Sequence, residues 1–202
     1  ATGDELAQAP ITEAKALVSL ADRIKSLTFT SLRDLLIDLD PLNPEHIKKV
    51  NAVEVLYWQL GSGWRFEDSI NILGFDCGGE QWVLEVAFPV TSTSQDGNPD
   101  LDFIREAQRA LEDADVPAPA PIEQRWTASS SAPMSPAYHK SPADAEAPVH
   151  SWVGVIMYLT PGQDARGRAD TTAAFRRYIE ALAPVYEKYG AVPHWAKIED
   201  GW

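Results

Sequence analysis

The sequence predicts an α+β protein, with helices packed against an antiparallel sheet and a helical segment in front of it. Three observations predict it. Runs of β-forming residues, such as "QWVLEVAFPV" and "HSWVGVIMYLT", recur from residue 80 onward. Two stretches with helical apolar spacing separate them, and the first fifty residues carry helix starts without strand signals.

Each element follows from local chemistry. Pro10 and Thr12 open a first helix, in which Ala14, Leu17, Val18, Ala21, Ile24 and Leu27 recur at helical spacing. Ser31 with Asp34 reads as a capping box for a short second helix. Asn43-Pro44-Glu45 starts a third, because proline is pre-set for the first helical position. At residue 53 the texture changes. "VEVLYWQL" reads as a strand ending at Gly61-Ser62-Gly63. "SINILGFDC" and "QWVLEVAFPV" read as a hairpin around Gly78-Gly79. In the latter strand Trp82, Leu84, Val86 and Phe88 share one face, and Val83, Glu85 and Ala87 the other. These changes divide the chain into a helical segment, 1–52, and an α+β domain, 53–202.

The domain continues with a helix in "NPDLDFIREAQRALEDAD", its apolar side formed by Leu101, Ile104, Ala107 and Leu111. The proline-rich "VPAPAP" is an extended connector. "IEQRWTAS" is a strand, residues 128–148 a long Ser/Pro/Ala loop, and "HSWVGVIMYLT" a buried strand. Asp170 is expected to cap a long helix that carries Phe175, Tyr178, Ile179, Leu182, Tyr186 and Tyr189, is kinked at Pro184 and ends at Gly190. "AVPHWAKI" is the last strand. From about residue 80 to 198 the order is strand, helix, strand, strand, helix, strand, which is the ferredoxin-like βαββαβ pattern.

Composition narrows the function classes. A hydrophobic fraction of 45% with seven tryptophans in 202 residues belongs to a folded globular chain. A formal net charge of −13 and no basic stripe argue against nucleic acid as a partner. The single cysteine, Cys77, allows no internal disulfide. No apolar run approaches the length of a membrane span. There is no signal-peptide pattern, and the first residue is Ala1, as in a processed or partial chain. These features fit an intracellular or organellar protein better than a secreted one. His139 and His150 lack a third ligand nearby, so no metal site is expected.

The candidate chemistry lies in two places. Glu123 and Arg125 are two apart on one strand and project together. A guanidinium fork can hold a carbonyl or alkoxide while the carboxylate orients a hydroxyl. The same spacing also fits a plain surface ion pair. Near the end, Trp195 and Lys197 would share one strand face and His194 the other. An aromatic with a snorkelling lysine is the alternative there. The loop "ASSSAPMSPAYH" adds Ser135 and neighbouring hydroxyls as possible substrate contacts.

Taken together, "PIEQRWTASSSAPMSPAY" resembles the Glu-x-Arg and Leu-Ser-Pro segment of the sugar-lactone and alditol oxidases, FAD-dependent enzymes of the vanillyl-alcohol-oxidase superfamily. "GAVPHWAK" resembles their Pro-His-Trp-Gly-Lys motif, with Ala196 for the Gly and Met134 for the Leu. The resemblance implies Glu123, Arg125 and Lys197 as catalytic residues and His194, Trp195 and Ser135 as substrate-binding ones. It also implies hydride transfer from a carbinol carbon of a sugar lactone or polyol to FAD. The family's FAD domain has no counterpart in this sequence, which looks like the substrate (cap) half alone. Another chain or a missing N-terminal part would supply the flavin. The alternative is a non-catalytic accessory or scaffolding subunit of a larger complex, descended from such a cap domain.

Overall fold

The computed structural model describes residues 29–60, 63, 64, 66, 68, 80–90, 98–144 and 147–197. The predicted first helix, the "SINILGFDC" strand with its Gly-Gly turn, and Cys77 lie outside the described residues. In chain order the elements are α1 (Phe29–Asp38), α2 (Pro44–Leu60), β1 (Glu80–Val90), α3 (Pro99–Asp113), β2 (Glu123–Thr127), β3 (Val149–Leu159), α4 (Ala165–Tyr189) and β4 (Val192–Pro193). The class is α+β, as the sequence predicts. The strands form one sheet in the order β2-β3-β1-β4, and every neighbouring pair is antiparallel.

One sheet face carries the main core. Leu84, Val86 and Phe88 of β1 and Val153, Val155 and Met157 of β3 pack against Phe103, Ala107 and Leu111 of α3 and Phe175, Tyr178 and Leu182 of α4. Phe103 stacks on Phe88 at 4.3 Å between ring centroids and meets Tyr189 edge-on at 5.3 Å. Burying each such side chain contributes about 1.5–3 kcal/mol. In α3 the buried stripe is Phe103, Ala107 and Leu111, while Leu101 is exposed. Of the predicted stripe, Ala107 and Leu111 are buried and Ile104 packs against the core, while Phe103 joins them in place of Leu101.

Among the described residues, the opposite face is covered at its two ends. At one end Ile37 of α1 and Ile47 and Val50 of α2 pack on Ile156 and Tyr158. The helices of this protein therefore do not all lie on one side of the sheet. At the other end Ala137, from the 128–148 loop, covers Ala87 and Trp152. That loop folds back on itself through Ser130 N to Ala137 O (2.8 Å) and His139 N to Ser130 O (2.9 Å).

Three local readings are corrected. Residues 53–60 are the second half of α2, not a strand, and the helix runs through the expected boundary at 52/53. Asn43 Oδ1 accepts the amides of Glu45 and His46, and no breaker intervenes before Gly61, so the started helix propagates through its β-formers. The cap of α4 is Asp164, whose carboxylate accepts the Gly167 amide, and Asp170 lies inside the helix. The last strand is only Val192–Pro193; the chain then turns, with Lys197 N donating to His194 O at 2.8 Å. One further cross-strand bond, His194 N to Glu85 O at 2.7 Å, follows Pro193 before the turn leads the chain off the sheet.

Candidate functional site

The gap between the two covered ends of the sheet is set by strand register. Gly154 of β3 lies opposite Glu123 of β2 on one side and Glu85 of β1 on the other. Gly154 has no side chain, so this row presents two carboxylates with an open floor between them. In the next row Arg125 lies opposite Trp152, and Trp152 opposite Ala87. Glu85, Glu123, Arg125, Gly154 and Lys197, with Val83 and Gln124, line a cavity of about 600 Å³.

Arg125 does not pair with Glu123. It reaches diagonally across β3 to Glu85, with Nε donating to Oε1 at 2.7 Å and Nη2 to Oε2 at 2.9 Å. The guanidinium carbon sits 4.6 Å from the centroid of the Trp152 ring. Trp152 is itself fixed, since its indole N–H donates to Thr127 Oγ1 at 2.8 Å. A guanidinium has five N–H groups in a rigid fork. The side-on grip uses two of them and leaves the end edge, Nη1 and the second N–H of Nη2, without a protein partner among the described residues.

Glu123 is exposed and has no ion pair among the described residues. Among its described lining residues are two carboxylates and two cations, one pair of which is already mutually satisfied. The formal charges of these described residues cancel.

Of the residues expected from sequence, Glu123, Arg125 and Lys197 come together on this cavity. His194, Trp195 and Ser135 are not among its lining residues. His194 and Trp195 lie in the turn after β4, not on a strand with alternating faces. His194 Nδ1 accepts the Ala196 amide at 3.1 Å, and its ring centroid is 5.7 Å from that of Trp152. Ser135 Oγ accepts the Ala137 amide at 3.2 Å and so braces its own loop. Among the described residues no three His, Cys, Asp or Glu side chains gather as a metal site.

Sequence reasoning missed Glu85, Trp152 and Gly154. The signals were present: Glu85 is the lone carboxylate inside the apolar run "WVLEVAF", and Trp152 and Gly154 stand two apart in "WVGVIMYL". What pairs them with Glu123 and Arg125 is register, which no single strand reveals.

The two ends of the cavity wall, Glu123–Arg125 and Lys197, fall within a stretch that matches a known family model. The model described as "ALO: D-arabinono-1,4-lactone oxidase" matches residues 25–198. Among curated proteins the chain is similar to L-galactono-1,4-lactone dehydrogenase 1, mitochondrial, of Oryza sativa subsp. japonica, and to L-galactono-1,4-lactone dehydrogenase, mitochondrial, of Arabidopsis thaliana. Both are 47% identical to it over 177 residues, which is 87% of this chain but only 30% and 28% of the respective relatives. The chain therefore spans about a third or less of the length of the curated relatives it matches. A match of this extent, over the same strands and turn that build the cavity, shows that the chain belongs to the D-arabinono-1,4-lactone oxidase family.

Proposed function

We propose that this chain is the substrate-binding part of an FAD-dependent oxidoreductase that oxidises a carbinol of a sugar lactone such as L-galactono-1,4-lactone. The observation that carries this reading is that the end edge of Arg125 and the carboxylate of Glu123, neither partnered among the described residues, line one cavity. A carbinol oxygen gathers negative charge as its carbon is oxidised. The Arg125 edge offers two parallel N–H donors to that oxygen or to the lactone carbonyl. Glu123 orients the hydroxyl and accepts its proton. Lys197 donates to a further hydroxyl of the sugar ring.

The lining residues do not fit FAD as a whole. Its pyrophosphate needs converging backbone N–H groups or a helix N-terminus. This cavity is walled by strand side chains and the turn at Lys197, and strand amides are engaged in the ladder. The flavin-holding part is assigned to the length by which the relatives exceed the match, on the same polypeptide or on a partner chain. The relatives are named as mitochondrial, and the same compartment is proposed here. Among the described residues no helix is long and apolar enough to cross a membrane.

The test uses the intact polypeptide, or the chain with whatever subunit copurifies. Mixing with L-galactono-1,4-lactone should bleach the visible flavin band. Arg125→Ala should lower kcat/KM about 10²–10³-fold, the usual loss on removing a donor to developing charge. A colourless complex, or a flavoprotein indifferent to Arg125→Ala, would overturn the reading, and the former would favour an accessory subunit.

A further inference from the structure

We propose that Glu85 is a positioning residue for this reaction, one that sets the places of both cationic groups of the cavity. This rests on the substrate-site reading above. Arg125 projects from β2, an edge strand, and its side chain is 55% exposed. A long exposed arginine on an edge samples many rotamers, and ordering it costs entropy each time a ligand binds.

Two contacts remove that freedom. Glu85, whose side chain is only 14% exposed on the inner strand β1, takes the Nε–Nη2 edge through both oxygens. The Trp152 ring supports the guanidinium plane from β3. Thr127 and Ala137 hold that ring in turn. The fork can then present only its end edge to a ligand, and in a set plane. Glu85 also acts through its backbone. Its carbonyl accepts the His194 amide at 2.7 Å, and His194 O accepts the amide of Lys197 at 2.8 Å. One residue thus ties the Arg125 fork by its side chain and the Lys197 turn by its main chain.

A carboxylate consumed by a two-point grip on Arg125 is poorly placed to serve as a substrate base. Glu123 keeps that part, and the two acidic residues flanking Gly154 divide the work.

The test is a double-mutant cycle in the intact enzyme with L-galactono-1,4-lactone. Glu85→Ala, Glu85→Gln and Glu85→Asp are each made alone and with Arg125→Ala, and kcat, KM and thermal midpoint are read for all. Glu85→Ala should lower kcat about 10–100-fold, the scale of a misplaced catalytic group. Glu85→Gln should fall between, because its one amide oxygen retains a single bond to the fork. In the Arg125→Ala background, removing Glu85 should change kcat by less than about threefold, as expected for residues that act as a unit. Equal losses in both backgrounds, or kcat unchanged by Glu85→Ala while Arg125→Ala is crippled, would overturn this inference alone. Full activity in Arg125→Ala would overturn the substrate-site reading and this inference with it. Should Glu85→Ala not fold, the cycle run with the near-isosteric Glu85→Gln gives the same decision.

Discussion

Gly154 faces Glu123 across the β2–β3 ladder so closely that a methyl group added at Gly154 would stand 3.6 Å from Glu123 Cβ and 3.7 Å from its Oε2. Those are ordinary contact distances. Gly154→Ala should therefore fold, with stability unchanged or raised by up to about 1 kcal/mol through a less flexible unfolded chain. The methyl would occupy the floor between Glu123 and Glu85. We expect KM for the lactone to rise several-fold in Gly154→Ala with little change in thermal midpoint. An unchanged KM would show that substrate does not reach that floor.

Asn51 is the clasp between α2 and the proline-rich connector. Its Nδ2 donates to Ala118 O at 2.9 Å, and its Oδ1 accepts the Ala120 amide at 2.9 Å. Asn51→Ala leaves both backbone groups without these partners. The expected loss is about 1–3 kcal/mol in chemical denaturation. Faster hydrogen exchange in α2 than in β1 or β3 should accompany it. Unaltered exchange in α2 would mean that packing on Ile156 and Tyr158 holds the helix by itself.

Phe103 is fully buried at the centre of an aromatic group formed with Phe88, Tyr186 and Tyr189. Phe103→Ala should cost about 3–5 kcal/mol, from lost transfer energy and the cavity left behind. A loss below about 1 kcal/mol, measured by urea unfolding, would show that the surrounding rings collapse into the space.

His150 predicts a pH dependence. It is buried, and its Nδ1 has no partner among the described residues. Burial holds its pKa below the ordinary histidine value; nearby His139 pushes the same way, and a hydrogen bond with the Pro148 backbone opposes. The folded state thus binds this proton less readily than the unfolded chain. The contribution is fully present above about pH 6.5 and is lost as pH falls below it toward the folded value. Between about pH 7.5 and about pH 5.5, His150→Asn should show a flatter decline in unfolding free energy than the parent. Parallel declines would remove His150 as the cause.

Much of this molecule was legible from residue order alone. The alternation in "QWVLEVAFPV" assigns Leu84, Val86 and Phe88 to the core face, and they are buried there. The strand and helix order from residue 80 onward follows from period and punctuation, which are local properties of a chain. Glu123 and Arg125 share a strand face by the same rule. Errors fell where local signals compete. The β-formers of residues 53–60 were recruited into a helix already capped at Asn43, and the turn closed by Lys197 N on His194 O ended a strand that the local pattern would have continued.

Tertiary structure alone decided which charges meet. From sequence, Arg125 has Glu123 as its obvious neighbour; in the fold it grips Glu85, forty positions away, over Trp152. Residue order determines which way a side chain points from its own strand, because that depends on the pleat. Partnership across strands depends on register, and register is settled only when both sheet faces and the loop carrying Ala137 are packed at once.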